Sequence, residues 1–272
     1  MTHKIEATID LAALRHNLAL VRSLAPASRV LAVVKADAYG HGLRGLLQAF
    51  DGVDALAVAH IDEALELREW SAKPIVVLEG FLDAREWADF RAHALTPVLH
   101  TGEQIAIIER DPPAAGASAW LKIDTGMNRL GFEPQALPRL RERLALAAPG
   151  LELVLMTHLA RADEPGHRAT DAQITRFDGV AAGSGLAQSI ANSGGIIGWP
   201  RAHRDWIRPG LMLYGIPPFG CSLPLRPVMT LRSRVIALRE VRAGTEVGYN
   251  GRWRASEDTR IATVSAGYAD GY

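Results

Sequence analysis

The chain has 272 residues, 48% hydrophobic and 22% charged, with 30 Lys and Arg against 30 Asp and Glu. That length suits one (β/α)₈ barrel of roughly 250 residues with a small appendage, and the apolar share is that of a folded globular chain. Zero net charge with no basic run removes the footprint of a nucleic-acid binder, and a single cysteine, Cys221, excludes an intrachain disulfide and a cysteine metal cage. Charge at the start (Lys4, Glu6), where a secretory signal would be apolar, and the lack of an apolar window near ~18 residues give a cytoplasmic, non-membrane expectation.

In chain order, residues 5–9 read as a strand. Asp10 then caps a helix with the apolar stripe Leu11, Leu14, Leu18, Val21, which Pro26 ends. Apolar runs follow at 30–34, 55–59, 75–78, 96–99, 119–123, 151–157, 188–192 and 206–208. Most are separated by helical segments such as 62–70, 83–92, 134–148 and 170–183. Eight strands apolar on both faces predict an α/β fold, a closed parallel TIM-type barrel. After Gly215 the composition changes. Ile216-Pro217-Pro218-Phe219-Gly220 reads as a linker, and 228–241, 246–249 and 261–264 read as antiparallel strands. The expected division is a barrel over 10–215 and a β-rich domain from 1–9 and 216–272. The sequence stops at Tyr272, straight after an apolar strand and a Gly267-Tyr268-Ala269-Asp270-Gly271 turn, so that domain is expected to be incomplete.

Catalytic groups of such a barrel sit at the C-terminal ends of its strands. Lys35, His158, Asn192, Ser193 and Arg208 end apolar runs, and Arg129 lies in the loop after the fifth. Only four basic residues are lysines: Lys4, Lys35, Lys73 and Lys122. Lys4 is terminal, Lys73 precedes a strand on the opposite rim, and Lys122 alternates with Leu121 and Ile123 in a way compatible with pointing inward. Lys35 closes Leu31-Ala32-Val33-Val34 on the active rim, where an amine stripped of water is available for a Schiff base. A rim lysine paired with Asp37 is the alternative, and the following Ala36-Asp37-Ala38-Tyr39-Gly40-His41-Gly42 weighs towards ligand contact. Independently, Asn192-Ser193-Gly194-Gly195 and Arg208-Pro209-Gly210-Leu211 fall where barrels of this kind cradle phosphate. A Schiff-base lysine with a phosphate cradle points to pyridoxal 5′-phosphate. No metal ligand set is expected.

Residues 32–42 resemble the cofactor-lysine motif of the alanine racemase family, and residues 122–132 resemble its second signature. Met156-Thr157-His158, Ala191-Asn192-Ser193, Arg208-Pro209-Gly210 and Gly267-Tyr268-Ala269-Asp270-Gly271-Tyr272 are similar to further motifs, in order along the whole chain. The resemblance implies that Lys35 carries the cofactor and is one of two bases, with Tyr268 acting on the opposite face of the substrate Cα. It implies that Arg208 faces the pyridine nitrogen, that Tyr39, Ser193, Gly210 and Leu211, with Asn192, hold the phosphate, and that Arg129 and His158 surround the tyrosine. Arg129 is thereby a substrate-binding residue and His158 a cofactor contact. Tyr214 is either a further hydroxyl at the phosphate or a core aromatic. Lys122 matches a lysine carbamylated in some members, and a plain ion pair, for example with Asp124, is the alternative. The implied activity is the interconversion of L- and D-alanine by a homodimer whose active sites each borrow Tyr268 from the other subunit, supplying D-alanine for bacterial peptidoglycan. The family's β domain continues past the last motif.

Three other readings compete. A basic-amino-acid decarboxylase usually follows its lysine with Ala-Asn and carries a catalytic cysteine motif, which Ala36-Asp37 and Cys221 fit poorly. A non-catalytic pyridoxal phosphate-binding barrel would lack the β region. An inactive, cofactor-binding fragment of the racemase is the third.

Overall fold

The computed structural model describes residues 5–220 and 222–271; Met1–Lys4, Cys221 and Tyr272, all touched on above, lie outside them. The chain divides into two units: Leu11–Val228, and the N-terminal strand together with the residues from Met229 onward. Strand β1 (Ile5–Ile9) belongs to the second unit. The first holds β2 (Arg29–Val33), β3 (Ala55–Val58), β4 (Ile75–Val77), β5 (Thr96–Leu99), β6 (Ser118–Lys122), β7 (Glu152–Met156), β8 (Ala187–Ser189) and β9 (Trp206–Ile207). These eight form a closed parallel barrel in chain order, sealed by Val30 of β2 opposite Ile207 of β9.

Alternation along the strands sorts the side chains into two shells. Leu31, Val33, Ala55, Ala57, Val76, Val98, Trp120, Val154 and Met156 make one inner cluster, with Leu78, Ala187 and Trp206 packed on it. The intervening Ala32, Leu56, Val77, Leu99, Leu121 and Leu155 are also fully buried, on the outer face of the barrel wall. This is why the strands read as continuous apolar runs. The helices Leu11–Leu24, Ile61–Trp70, Ala84–Ala92 and Arg168–Ala181 fall within two residues of their expected bounds. Asp83 caps one of them by accepting the Arg85 and Glu86 amides. A helix at Gly102–Arg110 was not expected from the periodicity. Its sequence signal is the capping box in which Thr101 and Gln104 satisfy each other's backbone amides.

Residues 216–228, expected to open the β region, belong to the barrel's unit. Asn17, a polar residue within the apolar stripe of Leu11–Leu24, is one of the side chains that tie them there. Its amide donates to the carbonyls of Leu213 (3.0 Å) and Arg226 (2.8 Å), and its oxygen accepts the Arg226 N–H (2.8 Å). Gly215, at φ +86°, lets the chain turn back here, since a Cβ would collide with the Arg226 carbonyl.

In the second unit β10 (Met229–Ser233) pairs antiparallel with β1, β11 (Val235–Val241) with β14 (Thr259–Val264), and β12 (Glu246–Val247) with β13 (Trp253–Arg254). The expected run 228–241 is thus two strands, broken at Arg234, and the two-residue β13 had no counterpart in the sequence reading.

Asn17→Leu leaves the Leu213 and Arg226 backbone groups without buried partners. A loss of about 2–4 kcal/mol follows from three hydrogen bonds of about 1 kcal/mol plus unmet desolvation. Urea unfolding measures it, and an unchanged midpoint would contradict the role given to Asn17.

Candidate active site

Moving two residues up each strand from the apolar inner cluster reaches the floor of a cavity of about 530 Å³ at the C-terminal rim. Lys35 stands beyond Val33, Lys122 beyond Trp120, His158 beyond Met156 and Arg208 beyond Trp206. Tyr39, Arg129, Asn192 and Ser193 add polar side chains to the wall, which Gly210 and Leu211 complete. All ten barrel residues singled out from sequence therefore line one cavity. Lys73 does not: its amine is spent at the opposite rim on the carbonyls of Asp51 and Val53, each at 3.0 Å.

Lys35 leads into an unusual backbone. Ala36, Asp37, Ala38 and Tyr39 are all left-handed, with φ between +51° and +56°. L-residues resist this by roughly 1–2 kcal/mol each, so the surroundings must impose it. The Asp37 carboxylate accepts the Leu43 N–H (2.7 Å), which answers the alternative of a Lys35–Asp37 pair. The turn brings the Tyr39 ring to 5.0 Å from Tyr214, centroid to centroid. Tyr214 itself is a core aromatic, its hydroxyl donating to the Val33 carbonyl (3.1 Å).

The two glycine-bearing loops meet at Ser193. Its hydroxyl accepts the N–H groups of Gly210 (3.1 Å) and Met212 (3.4 Å), while the Asn192 side chain caps the following turn through Gly195 N–H (2.9 Å). A Cβ on Gly210 would lie 2.6 Å from the Tyr39 hydroxyl, so glycine is what lets hydroxyl and loops converge.

Arg208 is 3% exposed and has no carboxylate partner among the described residues. It donates to Ser189, to the carbonyls of Thr157 (2.6 Å) and Ile190 (3.1 Å), and lies 3.4 Å from His158 Nδ1. Burial lowers its pKa to about 10, so it stays charged at neutral pH. Burial and then the neighbouring cations Arg208, Lys122, Arg129 and Lys35 hold His158 far below the usual histidine range. It is neutral, with Nδ1 free to accept from Arg208. Gln173, missed by sequence reasoning, fixes this loop by donating to the His158 carbonyl (3.0 Å) and accepting the Ala160 N–H (2.8 Å).

Lys122 is 7% exposed, and burial, then Arg129 and Arg208, depress its pKa to about 8. It forms no ion pair with Asp124, whose carboxylate accepts the Gly126 and Met127 amides (2.8 and 2.9 Å). Arg129 rides on a closed excursion from β6. Phe132 N–H returns to the Lys122 carbonyl (2.9 Å), and Gly131 (φ +133°) is needed because a Cβ would sit 2.7 Å from Asp124 N.

Tyr268 lies in the other unit, 99% exposed, on a turn closed by Gly267 N–H donating to the Asp270 carboxylate (3.0 Å).

Residues 9–218 match the family described as alanine racemase, N-terminal domain, and residues 228–272 match alanine racemase, C-terminal domain. Alanine racemase of Yersinia pestis is 47% identical over an alignment that covers 98% of this chain and 76% of that protein. The chain belongs to the alanine racemase family. Among solved structures, the biosynthetic alanine racemase of Pseudomonas aeruginosa superposes with a TM-score of 0.93 at 43% identity, over 100% of this chain and 77% of that one. The alanine racemase of Bartonella henselae, solved with covalently bound pyridoxal phosphate, gives 0.87 at 30% identity, over 99% and 77%.

Alanine racemases are pyridoxal phosphate-dependent isomerases, and the donor set of this cavity fits that cofactor. Lys35, Lys122, Arg129 and Arg208 face only Glu79 and Asp163 as acids. Such an excess of cations suits a phosphate and a carboxylate. The glycine at 210 leaves open the cradle that a Cβ would crowd, and the buried guanidinium offers donors only, as an aromatic nitrogen acceptor requires.

Burying Lys122 has a testable cost. Its folded pKa of about 8 lies below the ordinary 10.5, so between those values the unfolded chain binds a proton that the folded chain has released. Stability therefore rises with pH across that window. In carbon dioxide-free buffer Lys122→Met stabilises the barrel by about 3 kcal/mol at neutral pH, and the gain disappears towards pH 10.5. Urea midpoints at several pH values measure it; a gain independent of pH would refute the assignment.

Proposed function

We propose that this chain interconverts L- and D-alanine by two-base chemistry, with pyridoxal phosphate held on Lys35. The observation that carries this reading is the convergence of ten motif residues on one cation-rich cavity. When bound, the cofactor supplies an electron sink that makes the Cα proton of an attached amino acid removable. Lys35, at the edge of the apolar inner cluster, removes or returns that proton from one side. Tyr39, Ser193, Gly210, Leu211 and Asn192 hold the phosphate. Arg208, always protonated, can only donate to the pyridine nitrogen, which keeps that nitrogen unprotonated and favours proton return over side reactions. Neutral His158, which lines the same cavity, accepts from Arg208 and contacts the cofactor beside it.

Arg129 binds the substrate carboxylate. Lys122 orients it after capturing carbon dioxide: the ammonium gives up one proton, the free amine nitrogen bonds to the carbon with loss of a second proton to solvent, and a cation becomes an anion among Arg129 and Arg208. A pKa of about 8 makes the free amine accessible for that step. Tyr268 is the second base. Its near-complete exposure supports a role on another subunit, giving a cytoplasmic homodimer with shared sites. In this reading the domains remain a cofactor-binding barrel and a β-rich domain that delivers the tyrosine.

Solvent deuterium exchange into each enantiomer of alanine tests the assignment. Tyr268→Phe keeps the cofactor and loses exchange from one enantiomer by roughly 10²–10⁴-fold, the usual worth of a positioned acid–base group. Equal loss from both enantiomers contradicts the two-base assignment. Cofactor binding without exchange in the parent chain reduces the function to binding.

A further inference from the structure

The left-handed turn after Lys35 begins where the β2–β3 ladder stops. Val34 N–H donates to the Ala57 carbonyl (2.8 Å), so parallel spacing makes Ala36 N–H to the Ala59 carbonyl the next rung. That rung does not form. The Ala59 carbonyl accepts the Glu79 N–H from the neighbouring segment instead (3.2 Å), and Ala36 has already turned to φ +52°. The freed Ala36 N–H is taken by Glu63 Oε1 at 2.5 Å. The other carboxylate oxygen accepts the amides of Ala59 (2.7 Å) and His60 (3.3 Å). Glu63 thus replaces the missing rung and ties the exits of two adjacent strands together, from the first turn of the helix Ile61–Trp70.

We propose that Glu63 is a positioning residue for Lys35: its carboxylate holds the entry of the left-handed turn and so aims the Lys35 amine into the cavity. This goes beyond the family assignment and rests on the reading of Lys35 as the cofactor lysine. The exit of the turn has its own clamp, since Asp37 holds Leu43 N–H, while inside the turn Ala38 N–H bonds back to the Val34 carbonyl (2.9 Å). At the entry, Glu63 alone accepts the Ala36 amide among the described hydrogen bonds. A glutamine cannot replace it, because its NH₂ cannot accept and one of the bound amides would face a donor.

The test separates cofactor binding from capture by Lys35. Parent chain, Glu63→Gln, Glu63→Met and Lys35→Ala are saturated with pyridoxal phosphate. Total bound cofactor is measured by fluorescence quenching, and the rate of borohydride trapping on Lys35 by peptide mapping. The Glu63 variants are expected to bind cofactor as Lys35→Ala does but to trap it about tenfold or more slowly, as a displaced reacting group does. Glu66→Gln, exposed on the same helix, serves as the control and leaves the rate unchanged. Parental trapping rates in both Glu63 variants overturn the proposal and leave Glu63 as a helix cap. No trapping at Lys35 in the parent overturns the cofactor-lysine reading, and this inference with it. Should the variants not fold, hydrogen exchange in the unmutated, cofactor-free chain decides. The Ala36 amide is then as protected as that of Val34, and exchange at loop rates overturns the clamp.

Discussion

The site depends on the two-residue period of eight barrel strands. Because alternate side chains point inward, a residue two positions past the last inner apolar one of a strand lies nearer the mouth of the barrel. Val33, Trp120, Met156 and Trp206 are followed in this way by Lys35, Lys122, His158 and Arg208. The apolar cluster below is buried and offers no charged side chain, so the charges above it have no ionic partner within it. Packing that stabilises the barrel therefore also fixes the height at which the chemistry takes place.

The second feature is a charge imbalance maintained at a cost. Arg208 and Lys122 are buried and form no ion pair among the described residues, and both have lowered pKa values because burial disfavours their charged forms. His158 escapes the same penalty by staying neutral. A barrel selected only for stability would replace such residues with apolar ones. Their presence is intelligible as an anion receptor, for which a bound phosphate and carboxylate would supply the missing counter-charge. The left-handed run at Ala36–Tyr39 is similar in kind: local strain, imposed by surrounding hydrogen bonds, at the place where the chain must leave a strand and present a lysine.

The barrel was legible because strands buried on both faces spell themselves as apolar runs, and the strand ends then pointed to the rim residues. What stayed hidden depends on partners far apart in sequence. Glu63 looks like an ordinary first-turn acid of an amphipathic helix, and nothing local says that it will accept the Ala36 amide. The left-handed turn is signalled only at Gly40 and Gly42, since alanine, aspartate and tyrosine carry no mark of positive φ. Asn17 and Gln173 are polar residues on the buried faces of their helices, and nothing local says which distant backbone segment each will hold in place. Asn17 likewise ties Arg226 to the first helix, across an interval no periodicity can bridge.

The central claim is that the cation-lined mouth of the barrel is a receptor for pyridoxal phosphate with Lys35 as its anchor. The most direct measurement is a titration of the chain with pyridoxal phosphate, following the visible absorbance band of the lysine-bound cofactor in the parent and in Lys35→Ala. The account predicts a band in the parent and none in the variant, with the variant still binding the cofactor through Arg208 and the Ser193–Gly210 cradle. A band of equal strength in both chains, or none in the folded parent, would contradict it.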